Sequence, residues 1–421
     1  MEPSAPRVVE ADRSQLELRP FDLDSTIPQD HRARMLWRAV ETLDLSAFYE
    51  RIKSRVGTAG RPPGDPKVFV AVWLYATIDG VGSAREVERL CQEHRAYRWL
   101  CGGVPVNYHT LSDFRVEHGA ALDELLTQTI AVLRMRKLIE LKRVAQDGLR
   151  VRASAGSGSF RRKKKLKECL KEARAQVAAV KHWADDPALS ARAKAARERA
   201  AREREERVKE ALAALKQIEE KRGVEYTGGG RKAKGEPRGS ITAPEARKMR
   251  MANGGFGPGY NVQLATDAAH GVIVGVSVLN SGSDSGQAPP MIEQIARRTG
   301  RRPEEYLVDA AYTDKKSVEK LDAMHVTLYG SIPVRNGKDP FTPEMTDSVA
   351  VSAWRKRMST EEAKEIYKQR AATSERVNAD VRTYRTMDRM LVRGLGKVLC
   401  VALWNALALN LMRWFALGSG S

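Results

Sequence analysis

Tyr367, Arg370, Glu375 and Arg382 stand in one run, Glu365 to Arg393, that neither Gly nor Pro interrupts before Gly394. At the helical angle per residue they fall within an arc of about 140°, one sector of a helix. One carboxylate among two guanidinium groups and a phenol suits a metal-bound phosphodiester: the acid holds the cation, and the bases hold phosphate oxygens. The same spacing also suits a solvent-exposed charged helix. Ser359, with Glu362 three residues on, reads as the capping box that opens it.

Two further acids occupy distinctive places. Asp309 closes the short apolar run YLVDA, Tyr306 to Ala310. An acid there either caps the next turn or faces a site at the end of a buried strand. Asp147 lies in KRVAQDGLRVRAS. Asp-Gly between alternating runs is the strongest short hairpin signal; the other reading puts Asp147 at the end of a central strand as a metal carboxylate. No Ser/His or Cys/His constellation accompanies these acids. Cys91, Cys101, Cys169 and Cys400 form no CxxC pair, which argues against structural zinc and a disulfide framework and fits a reducing cytoplasm.

The elements that must position these groups can be read along the 421 residues. Residues 1–28 read as extended and poorly anchored, without the apolar core of a signal peptide. Asp30 to Ile52 is amphipathic, with Met35, Leu36, Val40, Leu43 and Phe48 on one face. After a Pro/Gly break at 60–66, an apolar helix at Lys67 to Ile78 precedes two capped ones: Ser83/Glu86 opens Ala84 to His94, and Thr110/Asp113 opens a helix running to about Lys137. Short helices that display Arg85, Arg89, Arg95, Arg98 and Arg115 suit a helix-turn-helix reader of DNA, and equally a plain basic bundle. His109 reads as a helix-start residue. Residues 160–222 read as an antiparallel helical hairpin, with a seam at Leu166, Leu170, Ala173, Val177, Val180 and Ala184 and a second start at Asp186-Pro187. Gly228 to Gly259 is Gly-rich and basic, a loop that orders on nucleic acid or a linker. Tyr260 to Asn280 reads as two strands joined at Asp267 to Gly271. Then follow a helix (285–298), the strand ending in Asp309, a helix (315–324), a strand (326–332) and a polar loop (333–343). Val398 to Met412 reads as a buried helix too short to span a membrane.

A formal net charge of +19 implies a polyanionic partner, with nucleic acid ahead of a membrane surface. The element order is that of a ribonuclease-H-like layered sheet. The expected fold is α/β (α+β): a helical N-terminal domain and a ribonuclease-H-like mixed-sheet core with an inserted helical hairpin. The segments are 1–60 (arm and first helix), 61–140 (helical DNA-binding domain), 141–159 with 256–395 (catalytic core), 160–255 (insertion) and 396–421 (C-terminal helix and tail).

The chain resembles a DDE-type insertion-sequence transposase, in the branch marked by a Tyr-Arg-Glu-Lys signature. Tyr367, Arg370, Glu375 and Arg382 resemble that signature, with four residues rather than three between Arg370 and Glu375 and with Arg382 in place of Lys. LYATIDGVGSAREVERLCQEHRAYRWLCGG and YHTLSDFR look like the family's N-terminal helices, and AQDGLRVRASA like the block of its first Asp. APEARKM, GYNVQLATD, SGSDSGQAPPM and LVDAAYTD look like the blocks around its second. The resemblance implies a DNA transposase with catalytic, metal-holding Asp147, Asp309 and Glu375, and with Tyr367, Arg370 and Arg382 on DNA phosphates. It implies two Mg²⁺ (or Mn²⁺) ions, water attack to free a 3′-OH, and attack of that 3′-OH on target DNA. The implied partners are double-stranded DNA, at element ends and target, and a second copy in a homodimer, with no membrane and no small-molecule substrate; the implied place is the nucleoid of a bacterial cytoplasm. A metal-dependent nuclease without strand transfer and an inactive transposase-derived DNA-binding protein remain as alternatives.

Overall fold

The computed structural model describes residues 22–54, 62–182, 190–227, 236–333 and 339–418. The expectations for residues 1–21, for the break at Gly60 and Arg61, for Ala184 and Asp186-Pro187, for the basic stretch 228–235 and for loop residues 334–338 lie outside the described residues.

The N-terminal third is helical. Rather than one helix over 30–52, it has α1 (Arg32–Glu41) and one turn, α2 (Ser46–Tyr49), because the Asp44 carboxylate accepts from the Ser46 N–H at 2.9 Å and turns the chain between them. The segment before α1 is anchored: Arg34 pairs with Asp24 at 2.7 Å, and the Trp99 indole donates to the same carboxylate. Asp65 caps α3 (Pro66–Ile78), in which every residue but Lys67 is buried. Ser83 caps α4 (Ala84–Glu93) as expected, and α5 (Arg95–Cys101) follows. The single helix expected from Thr110 is instead α6 (Tyr108–Glu117) and α7 (Gly119–Met135), interrupted at His118. Asn107 is the cap, its side-chain oxygen accepting from the Thr110 N–H at 2.9 Å; His109 stands in the first turn.

The middle and end of the chain build the sheet: β1 (Arg143–Arg152), β2 (Phe160–Arg161), α8 (Lys163–His182), α9 (Ala191–Thr227), β3 (Gly239–Ser240), β4 (Arg247–Arg250), β5 (Phe256–Asp267), β6 (Val272–Leu279), α10 (Ala288–Thr299), β7 (Glu305–Val308), α11 (Lys315–Ala323), β8 (Thr327–Gly330), α12 (Val349–Met358), α13 (Glu361–Thr383) and α14 (Leu395–Gly418). The main sheet runs β4-β5-β1-β7-β8, with β6 also on β5. The pairs β1/β5, β4/β5 and β5/β6 are antiparallel; β1/β7 and β7/β8 are parallel. This mixed sheet, with helices behind a helical N-terminal region, is the expected ribonuclease-H-like architecture. The insertion is closed by a ladder of its own, β2 on β3, and α8 and α9 share a small core of Leu166, Ala211 and Leu215.

Of the two readings of Asp147-Gly148 the strand holds and the hairpin turn does not, because β5 pairs continuously from Val144↔Asp267 to Arg152↔Gly259 and holds the stretch extended. The basic Gly-rich stretch is not wholly loop: Ala243, Ala246, Met249 and Met251 bury their side chains, and that burial carries β3 and β4. The long helix stops at Thr383 rather than Arg393, and Thr360, not Ser359, caps its start. Thr386 takes φ 65°, and the chain then turns and makes one bridge to the end of β1, at Arg389: Arg152 N–H donates to the Asp388 carbonyl at 2.9 Å, and Met390 N–H to the Arg152 carbonyl at 2.8 Å. Burial of Met387 and Met390 favours that pairing over another helical turn.

Helix α14 is longer than expected and, by length and composition, could cross a membrane, yet 72% of its apolar window is buried. It packs against α3, α7 and β6, in one apolar core that continues from the N-terminal helices into the sheet.

Candidate active site

The parallel register of β1 and β7 pairs Arg143 with Glu305 and Ala145 with Leu307. The ladder ends there, Asp309 follows the last residue of β7, and its charge acts on Asp147. Side chains at odd positions of β1 face α13. Arg143 pairs with Glu305 at 2.5 Å and donates to Gln369 at 2.7 Å. Two turns further along α13, the Asn378 amide donates to Asp147 Oδ2 at 2.9 Å, and the Gly148 N–H donates to Oδ1 at 2.9 Å.

Burial raises the Asp147 carboxyl above its ordinary range, and the charges of Asp309 and Asp284 push the same way; the Gly148 N–H and Arg370 oppose them. Asp309 ends its strand and accepts from the Ala311 N–H at 2.8 Å, so it also caps the turn that follows. Tyr312, buried behind that turn, is pushed far up by burial and then by the charges of Asp284, Asp147 and Asp309.

Asn378 falls near the centre of the arc shared by Tyr367, Arg370, Glu375 and Arg382, so that sector of α13 does face the acids. Its members differ in reach. Tyr367 donates to Ser331 Oγ at 3.3 Å, just past the end of β8, and Arg370 stacks by its ring with the guanidinium carbon 5.8 Å from the ring centre. Glu375 sits at the margin of the arc, its side chain 69% exposed and 4.0 Å from Arg370. Arg382, partly exposed in the last turn, forms no ion pair with another described residue. Among the described residues no three His, Cys, Asp or Glu side chains come within reach of one ion. Asp309 lies near enough for its charge to act on Asp147, whereas Glu375 stands one turn from Asn378 and points to solvent.

The even-numbered face of β1 carries a different arrangement. Asp284, 2% exposed, accepts from Asn261 at 2.6 Å and Gln263 at 2.7 Å, and pairs with Arg150 at 2.7 Å. Gln263 also accepts from Gln146 and Tyr312, and Tyr306 donates to Gln146 at 2.7 Å. Gly148 is required here: a Cβ would lie 2.6–2.7 Å from Asp284, Asn261 and Gln263. Sequence reasoning missed Asn378, Tyr312 and Asp284 as members of the site. Asn378 was legible, since it lies in the arc already drawn; the other two needed the sheet.

In the helical region, cations are distributed unlike the expectation. Arg115 is not displayed but buried, donating to the Gly82 carbonyl with its guanidinium carbon 4.8 Å from the Trp73 ring centre. Arg89 is held by Glu86 and Glu93, whereas Arg85 and Arg95 are exposed.

The donor chemistry fits Mg²⁺ or Mn²⁺: hard carboxylate oxygens, one of them held above its ordinary range by burial and by a second carboxylate, a conflict that a cation relieves. Comparison with curated proteins and with solved structures gives no match. Two family descriptions match, "Transposase domain (DUF772)" over residues 21–117 and "Transposase DDE domain" over residues 232–411. The second includes Asp309 and Glu375 and begins after β1, so Asp147 lies outside it. With a mixed sheet placing one Asp under the charge of another beside a cationic helix, and with these two matches in chain order, the chain carries a transposase DDE domain behind an N-terminal transposase domain.

Proposed function

We propose that this protein is a DNA transposase of the Tyr-Arg-Glu-Lys branch, which frees a 3′-OH at each element end and joins it to target DNA. The reading is supported by Asp147 at β1 and Asp309 just past β7, whose charge acts on it, beside a helix bearing Tyr367, Arg370 and Arg382. Asp147 and Asp309 are the metal-holding carboxylates, and Glu375 joins them by a side-chain rotation of the exposed rotamer. Bound divalent ions supply Lewis-acid stabilisation of the phosphoryl oxygens and a more acidic water. The chain's own residues do the rest. Asn378 fixes the Asp147 carboxylate, leaving its other lone pairs for the ion. Tyr367, Arg370 and Arg382 hold phosphates and offset charge on the transferring group. The exposed helices α4 to α6 read DNA outside the cleavage site. Action as a homodimer on double-stranded DNA in the bacterial nucleoid rests on the family resemblance alone.

The outward Glu375 favours a second reading, a derivative that binds DNA without cutting it. One experiment separates them. The full chain, with Mg²⁺ or Mn²⁺, is given a plasmid carrying the DNA that flanks its own gene, and products are sized. Joined products support the transposase. Cuts without joining point to a nuclease, and bound but uncut DNA to the inactive derivative.

A further inference from the structure

Polar bonds hold α13 from two directions. From the sheet, Arg143 of β1 donates to Gln369 at 2.7 Å, and Asn378 donates to Asp147 of the same strand at 2.9 Å. The other hold lies past the last turn. Arg385, 8% exposed, donates through Nε to Asp380 at 3.2 Å and through Nη1 to the Ile78 carbonyl at 3.1 Å. Asp380 belongs to α13 and Ile78 ends α3, so one buried guanidinium ties α13 to the N-terminal helices.

The turn that receives Arg385 is shaped for close approach. At the end of α3 the Val81 N–H donates to the Ala76 carbonyl at 2.7 Å and the Gly80 N–H to the Thr77 carbonyl at 3.2 Å, with Gly80 at φ 73°. A Cβ on Gly80 would overlap the Tyr384 carbonyl oxygen, and one on Gly82 would lie 3.0–3.3 Å from the Thr386 side chain. The turn is itself fixed from behind. Arg32 of α1 pairs with Asp79 at 2.5 Å, and Arg115 of α6 donates to the Gly82 carbonyl. Residues 78–82 therefore form a seat, set on the N-terminal core, for residues 384–386.

Arg382 stands between Asp380 and Arg385, in the last turn of α13, and forms no ion pair with another described residue. The end of a helix opens at little cost unless something holds it, and here the hold comes from the N-terminal region. We propose that Arg385, seated on the turn at 78–82, is a positioning residue that fixes the last turn of α13 so that Arg382 meets a DNA phosphate. The N-terminal helices thus place a phosphate contact that α13 makes. The inference rests on the transposase reading, since that reading supplies the DNA.

The test uses the full chain without metal and fluorescence anisotropy on a labelled duplex over a range of salt, which gives the slope of log affinity against log salt. Arg382→Ala makes that slope shallower by about 0.9, one phosphate's worth. Arg385→Ala and Gly80→Ala, the second of which removes no charge, change it by the same amount. Combining either with Arg382→Ala changes it no further, because each single variant loses the same contact. Hydrogen exchange in both seam variants rises at 379–386 and stays at the wild-type level in α10 and α12. Wild-type slopes in Arg385→Ala and Gly80→Ala, a further change in the double variants, or exchange that rises equally in every helix overturns the positioning role and leaves the transposase reading in place. A wild-type slope in Arg382→Ala overturns its phosphate assignment and the inference with it. A wild type that binds no duplex overturns the transposase reading as well.

Discussion

The two faces of β1 each hold an acid, Asp284 buried and Asp147 half-buried, and they treat it in opposite ways. On the even face, Asp284 receives two amide donors and an arginine, each at 2.6–2.7 Å, inside a network that continues through Gln263, Gln146, Tyr306 and Tyr312. On the odd face, Asp147 receives two neutral donors and is under the charge of Asp309 rather than beside a paired cation. A buried carboxylate with its own arginine is a finished structural element. A half-buried carboxylate under the charge of a second carboxylate has a conflict that a divalent ion would relieve. The same strand therefore carries an acid paired with a cation on one side and, one residue away, an acid with no ion pair among the described residues on the other.

The sharpest way to break this contrast is to neutralise each acid. Asp147→Asn or Asp309→Asn should lower DNA cleavage by at least about 10²–10³-fold, the usual loss when one preorganised group at a developing charge is removed, while DNA affinity by anisotropy stays the same. A variant that still cuts would move the chemistry elsewhere. Asp284→Ala should act on the fold instead. It strands Arg150, Asn261 and Gln263 and should cost about 2–3 kcal/mol in denaturant titration. If Asp284→Ala melted like the wild type, the even face would not be scaffold. Mg²⁺ or Mn²⁺ at 100 times its dissociation constant should stabilise the wild type by about 2.7 kcal/mol and both Asn variants at the odd face far less. Gly148→Ala should cost about 1–3 kcal/mol, because its methyl group would overlap the Asp284 network.

The smallest effect is a pH dependence with a fixed sign. The folded Asp147 carboxyl titrates above its unfolded value, so its protonated form is the one folding favours. Stability is fully present below the ordinary carboxylate range and falls as pH rises through the raised value. Without metal, Asp147→Asn should thus melt at or above the wild-type temperature at neutral pH, and the gap should close in acid. A gap that widens in acid would mean that Asp147 is stabilised as the anion.

Local pattern made much of this legible. The β5–β6 hairpin, the α10–β7–α11–β8 order and the Ser83 cap follow from two-residue alternation, helical spacing and capping chemistry, all of which act between near neighbours. Local pattern fell short where distant segments competed. Asp147-Gly148 has the chemistry of a turn, but nine residues of pairing with β5 outweigh it. Nothing within Glu365 to Arg393 stops a helix, yet pairing of Asp388 and Met390 with the end of β1 ends it at Thr383. Arg115 looked like a surface cation because its partners, Gly82 and Trp73, lie 33 and 42 residues away.

The sequence by itself determined the basic character of the chain, its layered α/β order, and which acids and arginines were candidates, since charge and periodicity are local properties. Only the tertiary structure decided that the charge of Asp309 acts on Asp147, that Asn378 rather than Glu375 touches Asp147, and that Asp284 pairs with Arg150. Those outcomes depend on strand register and on the angle at which α13 crosses the sheet, and both are set by packing between residues far apart in the chain.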